Sequence, residues 1–166
     1  MISRLIATAL FLFLVTPTLS AAPHLVIFVR HAEKEEAPKD NPPLTAAGRE
    51  RAAELVKVVE VLTAKGPLRA IFTTDYLRTR ETAAPLAAAT HVAPTVTNDN
   101  PIARIRAIQG GTVVVVGHSN TLPDFIETLG GAAGIVIADA EFGRLFLLAA
   151  PGTTLAKLAT LAYGKR

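Results

Sequence analysis

The chain contains no cysteine. That single absence excludes disulfides, thiolate metal sites, a cysteine nucleophile and the lipid-bearing cysteine of a lipoprotein. Tryptophan is also missing, and aromatic residues make up only 5% of the sequence. No run of lysine and arginine is interleaved with aromatics, so nucleic-acid binding is not indicated, despite a formal charge of +3 and an isoelectric point near 9.5. No His-x-x-x-His pair or carboxylate cluster offers a metal site, and neither a metal nor a cofactor is expected. The longest apolar run, Leu5 to Val15, falls well short of the roughly 20 residues that cross a bilayer as a helix.

That run reads instead as part of an export signal. Arg4 supplies a positive start, Leu5 to Val15 the apolar centre, Pro17 a break, and Ser20-Ala21-Ala22 the small residues of a cleavage site. Residues 1–22 are therefore expected to be a signal peptide. The mature protein would be exported, periplasmic if the host is Gram-negative, and without stable membrane insertion after cleavage. An uncleaved anchor or a buried N-terminal helix is the alternative. Residues 23–166 show no repeat, low-complexity stretch or linker, and read as one domain.

The most informative stretch runs from Leu25 to Glu33. Leu25 to Val29 is short, apolar and rich in β-branched and aromatic side chains, as suits a strand buried on both faces of a parallel sheet. It ends at Arg30-His31. Ligands in open α/β sheets bind beyond the carboxyl ends of the strands. There a guanidinium can grip a phosphate as a planar fork, and an imidazole can attack it or move a proton. One Arg-His pair alone reads equally as a basic strand end meeting water. Three further stretches change that reading.

Glu33 to Pro43 is charged, carries three prolines and reads as a surface loop. Thr45 can cap a helix from about Ala46 to Lys65, with Ala52, Leu55, Val56, Val59 and Leu62 at helical spacing. Leu68 to Phe72 is a second strand, ending at Thr73-Thr74. Asp75 can cap a second helix, roughly Tyr76 to Ala89. Pro94 to Arg106 reads as irregular. Val113 to Val116 is the strongest buried-strand signal and ends at Gly117-His118-Ser119-Asn120. A third helix begins near Pro123 and stops at Gly130-Gly131. Leu145 to Ala149 and Leu155 to Tyr163 read as two strands joined at Pro151-Gly152. The expected fold is α/β and three-layered: a mainly parallel central sheet, helices on both faces and antiparallel edge strands.

Three strands thus end in phosphate-friendly residues. Parallel pairing would put Arg30-His31, Thr74 with Arg78, and His118-Ser119 along one edge. The two histidines could face each other across a pocket, and the two arginines would offer up to about ten N–H donors. Arg30-His31-Ala32-Glu33 resembles the Arg-His-Gly signature of the histidine phosphatase superfamily, the phosphoglycerate-mutase-like proteins. Pro43-Leu44-Thr45-Ala46-Ala47-Gly48, Thr74 to Thr82 and Gly117-His118-Ser119-Asn120-Thr121 are similar to the motifs that follow it, in the same order.

The resemblance implies a catalytic His31 that takes the phosphoryl group as a phosphohistidine, with Arg30, Arg78 and His118 holding its oxygens and Ser119 beside them. No metal is implied. Ala32 replaces the usual glycine. Ser119 follows the second histidine where some members carry an acid for the leaving oxygen. Asp99, the only carboxylate between Thr82 and His118, is the candidate acid by elimination and reads equally as a loop residue; Glu33 and Glu81 are alternatives. The small bacterial phosphohistidine phosphatases manage without a clear acid. The expected function is an exported phosphoric monoester hydrolase acting on a small phosphorylated compound. The alternatives are a phosphohistidine-protein phosphatase and a non-catalytic phosphate-binding protein. A mutase is disfavoured by the short span from Arg78 to Val115.

Overall fold

The computed structural model describes residues 22–64, 66–98 and 100–164. The expected signal peptide, apart from Ala22, and the candidate acid Asp99 lie outside the described residues.

Strand β1 (Leu25–Arg30) lies inside a six-stranded sheet ordered β3-β2-β4-β1-β5-β6. It pairs in parallel with β4 (Thr112–Gly117) on one side and antiparallel with β5 (Arg144–Ala149) on the other. β2 (Leu68–Thr73) pairs in parallel with both β4 and β3 (Pro94–Val96), and β6 (Lys157–Ala162) runs antiparallel to β5 at the far edge. The mainly parallel sheet with antiparallel strands at one side is thus as expected.

The period-two alternation of a strand divides the core into two layers. Val26 and Phe28 of β1, with Val113 and Val115 of β4, pack against Ile102 and Ile105 of α3 (Ile102–Ala107) and against Leu122 and Ile126 of α4 (Leu122–Thr128). Ile27, Val29, Val114 and Val116 face the opposite way, onto Leu55 and Val59 of α1 (Ala46–Leu62) and Ala83 and Leu86 of α2 (Leu77–Thr90). Burial on both faces is why these strands read as continuous apolar runs.

Helix α1 starts where expected: the Thr45 hydroxyl accepts from the Gly48 N–H at 3.0 Å. A Cβ on Gly48 would overlap the Glu33 carbonyl oxygen, so only glycine lets α1 press against the loop that follows His31.

Two local expectations are corrected. Pro94 to Arg106 is not irregular; it holds β3 and α3, too short to show a period, one paired with β2 and the other anchored by buried Ile102 and Ile105. Asp75 does not cap α2: Tyr76 occupies the cap position, and the Asp75 carboxylate lies 3.5 Å from Arg80. The Leu77 N–H is instead taken by Asn41 Oδ1, at 2.8 Å, from the loop after β1. Thr121, at the cap position of α4, makes no side-chain cap bond.

Candidate active site

Because β1, β2 and β4 are parallel, their carboxyl ends share one edge of the sheet. Arg30 sits in register with Gly117, and the His31 N–H donates to the Gly117 carbonyl at 2.9 Å. The residues after that pair are His31 and His118, and their rings meet at a centroid distance of 5.4 Å. A pocket of about 730 Å³ opens there, and His31, Thr74, Tyr76, Arg78, His118 and Ser119 are among the residues that line it.

His31 is 3% exposed, and its Nδ1 lies 2.8 Å from the Ala32 carbonyl oxygen. A carbonyl only accepts, so the neutral ring carries its proton on Nδ1 and leaves Nε2 with a free lone pair. Burial drives the His31 pKa down to about 3; the Ala32 bond opposes this, while the charges of Arg30 and Arg78 and the neighbouring His118 reinforce it. His118 is lowered to about 4, again first by burial and then by Arg78 and Arg30. Near neutral pH both imidazoles are uncharged, and the positive charge of the site rests on the arginines.

The two arginines are held differently. The Arg78 guanidinium makes no hydrogen bond among the described residues; its carbon stands 4.0 Å over the Tyr76 ring, whose edge in turn meets His118 at 5.4 Å. Its donors are free for an anion. Arg30 is 7% exposed and does not line the pocket wall. Its Nη1 donates to the carbonyls of Ala138 and Asp139, both at 2.8 Å, and of Glu141 at 3.3 Å, while its guanidinium covers Phe142. Its Nε has no partner. Arg30 therefore ties the loop before β5 to the site. Burial lowers the pKa of both arginines; Asp139 and Glu141 oppose this at Arg30, and Tyr76 opposes it at Arg78.

Ser119 reaches the pocket as expected. Both alternative acids are engaged elsewhere. Burial pushes the Glu33 carboxyl up, but a bidentate pair with Arg51, with oxygens at 2.7–2.9 Å, more than offsets this and holds it below the usual range. Glu81 accepts from the Leu44 N–H at 2.6 Å. Neither lines the pocket.

Of four further residues around the site, three carried no clear signal in the sequence. Asn41 sits in a proline-rich loop, and Asn98 belongs to a stretch read as irregular. Arg51 looks like an ordinary surface cation of α1. Only Tyr76 had a readable mark, as one of two tyrosines and placed two positions before Arg78.

Thr82 joins the two halves of the site. Its buried hydroxyl accepts from the Ala32 N–H at 2.9 Å and donates to the Arg78 carbonyl at 2.6 Å. Thr82→Val keeps the shape and strands the Ala32 N–H, which should destabilise the fold by about 1–3 kcal/mol. A thermal melt should show a loss of about 2–4 °C for each kcal/mol in a domain of this size. An unchanged midpoint would show that the bond is dispensable.

Residues 26–102 match the family model of the histidine phosphatase superfamily, branch 1. Solved structures with the same fold include a protein assigned as the phosphohistidine phosphatase SixA from Agrobacterium tumefaciens, at 19% identity and a TM-score of 0.62, over 84% of this chain and 98% of that one. A protein histidine phosphatase SixA complexed with tungstate gives 11% identity and 0.63, over 83% and 96%. A mycobacterial glucosyl-3-phosphoglycerate phosphatase gives 14% and 0.57, over 84% and 96%. No curated protein matches the chain in sequence.

Proposed function

We propose that this chain, which is similar to the histidine phosphatase superfamily over residues 26–102 and in its fold, hydrolyses a small phosphorylated compound through a phosphohistidine on His31. The observation that carries the reading is the bare Nε2 of a neutral, buried His31, fixed by the Ala32 carbonyl beside His118 in the pocket that Arg78 enters. Nε2 attacks phosphorus, the bond to the leaving oxygen breaks, and that oxygen takes its proton from water in the open pocket. The positive charge that develops on the ring is shared with the Ala32 carbonyl through Nδ1–H. Arg78 and His118, which line the pocket, offset the negative charge on the phosphoryl oxygens, and the buried Arg30 cation adds positive potential from behind the pocket wall. Water then attacks phosphorus, the P–N bond breaks, and His31 and inorganic phosphate are released.

Rapid quench with a ³²P-labelled phosphomonoester should trap label on the protein that is lost in acid and kept in base. An acid-stable, base-labile phosphoester would mean that a hydroxyl or carboxylate is attacked instead.

A second reading is favoured by the engagement of Glu33 with Arg51 and of Glu81 with Leu44. An imidazole leaves with less acid help than an alkoxide, which suits a phosphohistidine-protein phosphatase. Turnover of a phosphohistidine peptide with none of a phosphomonoester panel would decide for it.

Export of the mature chain is part of the proposal, motivated by the apolar run Leu5 to Val15 and the small residues before Pro23. Intact-mass measurement of protein from the host's envelope fraction should give a chain beginning near Pro23. Recovery only as the full-length chain in the cytosol would end that part of the reading.

A further inference from the structure

We propose that a second cavity, opening from the candidate active site, takes the leaving group, and that this group is a phenol carrying an acceptor oxygen. The cavity is about 270 Å³ and lies at the carboxyl ends of β2 and β4, on the sheet face covered by α3 and α4. Thr74, Asn98 and Thr121 line both it and the pocket that holds His31 and His118, so the two spaces adjoin. Its walls are mainly carbon. Phe72 and Val115 come from the sheet, Pro101 from the start of α3, and half-buried Phe125 from α4. Such walls favour a carbon ring over a sugar, whose hydroxyls would lose water there without gaining partners.

Two asparagines in the lining decide which polar group the ring carries. Asn98 Oδ1 accepts from the Asp75 N–H at 3.0 Å, and Asn100 Oδ1 from the Ile102 N–H at 2.9 Å. A backbone N–H only donates, so the atom facing it is the carboxamide oxygen in both cases. What each side chain has left is its NH₂ group, which makes no hydrogen bond among the described residues. Donors of this kind call for an acceptor on the ring: a carbonyl, carboxylate or ether oxygen. The leaving chemistry agrees. Glu33 and Glu81 are engaged elsewhere, and a phenolate, its charge spread over the ring, leaves with less acid help than an alkoxide. The P–O bond breaks, the phenolate keeps the electron pair, and water protonates it. The assignment rests on the proposed reaction for the placing of the phosphoryl group at His31; the cavity and its donors do not depend on it.

The test is one of binding, because aryl esters are intrinsically more reactive than alkyl esters and rates alone would mislead. Titration calorimetry of the full chain near pH 7 compares phosphonates, which have no ester bond to break. Benzylphosphonate should bind about 10- to 100-fold tighter than methylphosphonate, through burial of one ring. A 3-acetyl group on that ring should add roughly 3- to 10-fold. A glucopyranosyl C-phosphonate should bind no better than methylphosphonate. Phe125→Ala removes a wall and should cut the benzyl-to-methyl ratio by roughly 3- to 10-fold. Asn100→Asp keeps the oxygen that serves the Ile102 N–H and removes the donors, so most of the gain from the acetyl group should vanish. Equal affinities for methyl- and benzylphosphonate, or a preference for the glucopyranosyl compound, would overturn the proposal. An acetyl gain kept in Asn100→Asp would overturn the role given to the asparagines. Should Phe125→Ala fail to fold, the wild-type affinities still decide. A benzyl preference in a protein that turns over no phosphomonoester would sink the phosphatase reading and leave the cavity assignment standing. Turnover with equal affinities would do the reverse, and binding of none of the phosphonates would end both.

Discussion

His31→Ala is expected to abolish turnover and phosphoenzyme formation together, while His118→Ala retains both at a rate lower by about 10²–10³. The two imidazoles lie 5.4 Å apart, both buried or half-buried and both neutral, yet they differ in what their hydrogen bonds leave free. His31 presents an unshared pair on Nε2, because its Nδ1 is tied to Ala32. Alanine removes the only atom proposed to carry the phosphoryl group. His118 has its Nε2 against Thr74, and alanine there removes a preorganised contact without removing the proposed nucleophile. Single-turnover measurement with ³²P substrate separates the two. Label on the His31→Ala protein would assign the attack to another residue, and equal loss in both variants would contradict the division of roles.

Acidification from pH 7 to pH 5 should destabilise the protein by up to about 4 kcal/mol through these two histidines alone. The sign follows from their lowered pKa values. In the unfolded chain each titrates near its ordinary value of about 6.5, and in the folded protein near 3 for His31 and 4 for His118. Above the ordinary value neither state binds the proton, and the histidines contribute no pH dependence. Below it the unfolded chain binds protons that the folded protein refuses, so stability falls with falling pH. The slope is about 1.4 kcal/mol per pH unit for each group until the folded value is reached, and it is smaller for His118, which meets the open pocket. Urea unfolding at the two pH values checks it. The wild type should lose stability, and a His31→Gln, His118→Gln double variant should lose markedly less. Equal losses in both would show that the histidines are not buried as neutral groups.

The fold was legible wherever a period was long enough to declare itself. Val113 to Val116 announced a strand buried on both faces, and Thr45 with the apolar positions of α1 announced a capped helix. β3 and α3 escaped because three and six residues give no period; their order comes from pairing with β2 and from the burial of Ile102 and Ile105. Asp75 suggested a cap because its residue type favours that position, but the chain places Tyr76 there and supplies Asn41 from another loop. In the site, His31, Arg78, His118 and Ser119 were readable because chemistry restricts residue type at strand ends. The engagements of Arg30 and Glu33 were not. They depend on carbonyls of Ala138, Asp139 and Glu141 and on Arg51, partners that only the folded chain brings near.

The placement of β1 sets an order in time. Synthesis runs from the N-terminus, so the strand bearing His31 is the first of the sheet to be made. Its neighbours are β4 and β5: Leu25 sits opposite Thr112 and Ala149. On the ribosome His31 therefore exists long before either strand that flanks β1, and the carbonyls that engage Arg30 come later than β4 as well. Closing such long loops costs entropy before any contact is gained, which makes folding by this topology slow. No N-terminal fragment ending before β5 can hold His31 as the whole chain does. Partial chains should be silent rather than weakly active, and function should appear all at once when the last strands arrive.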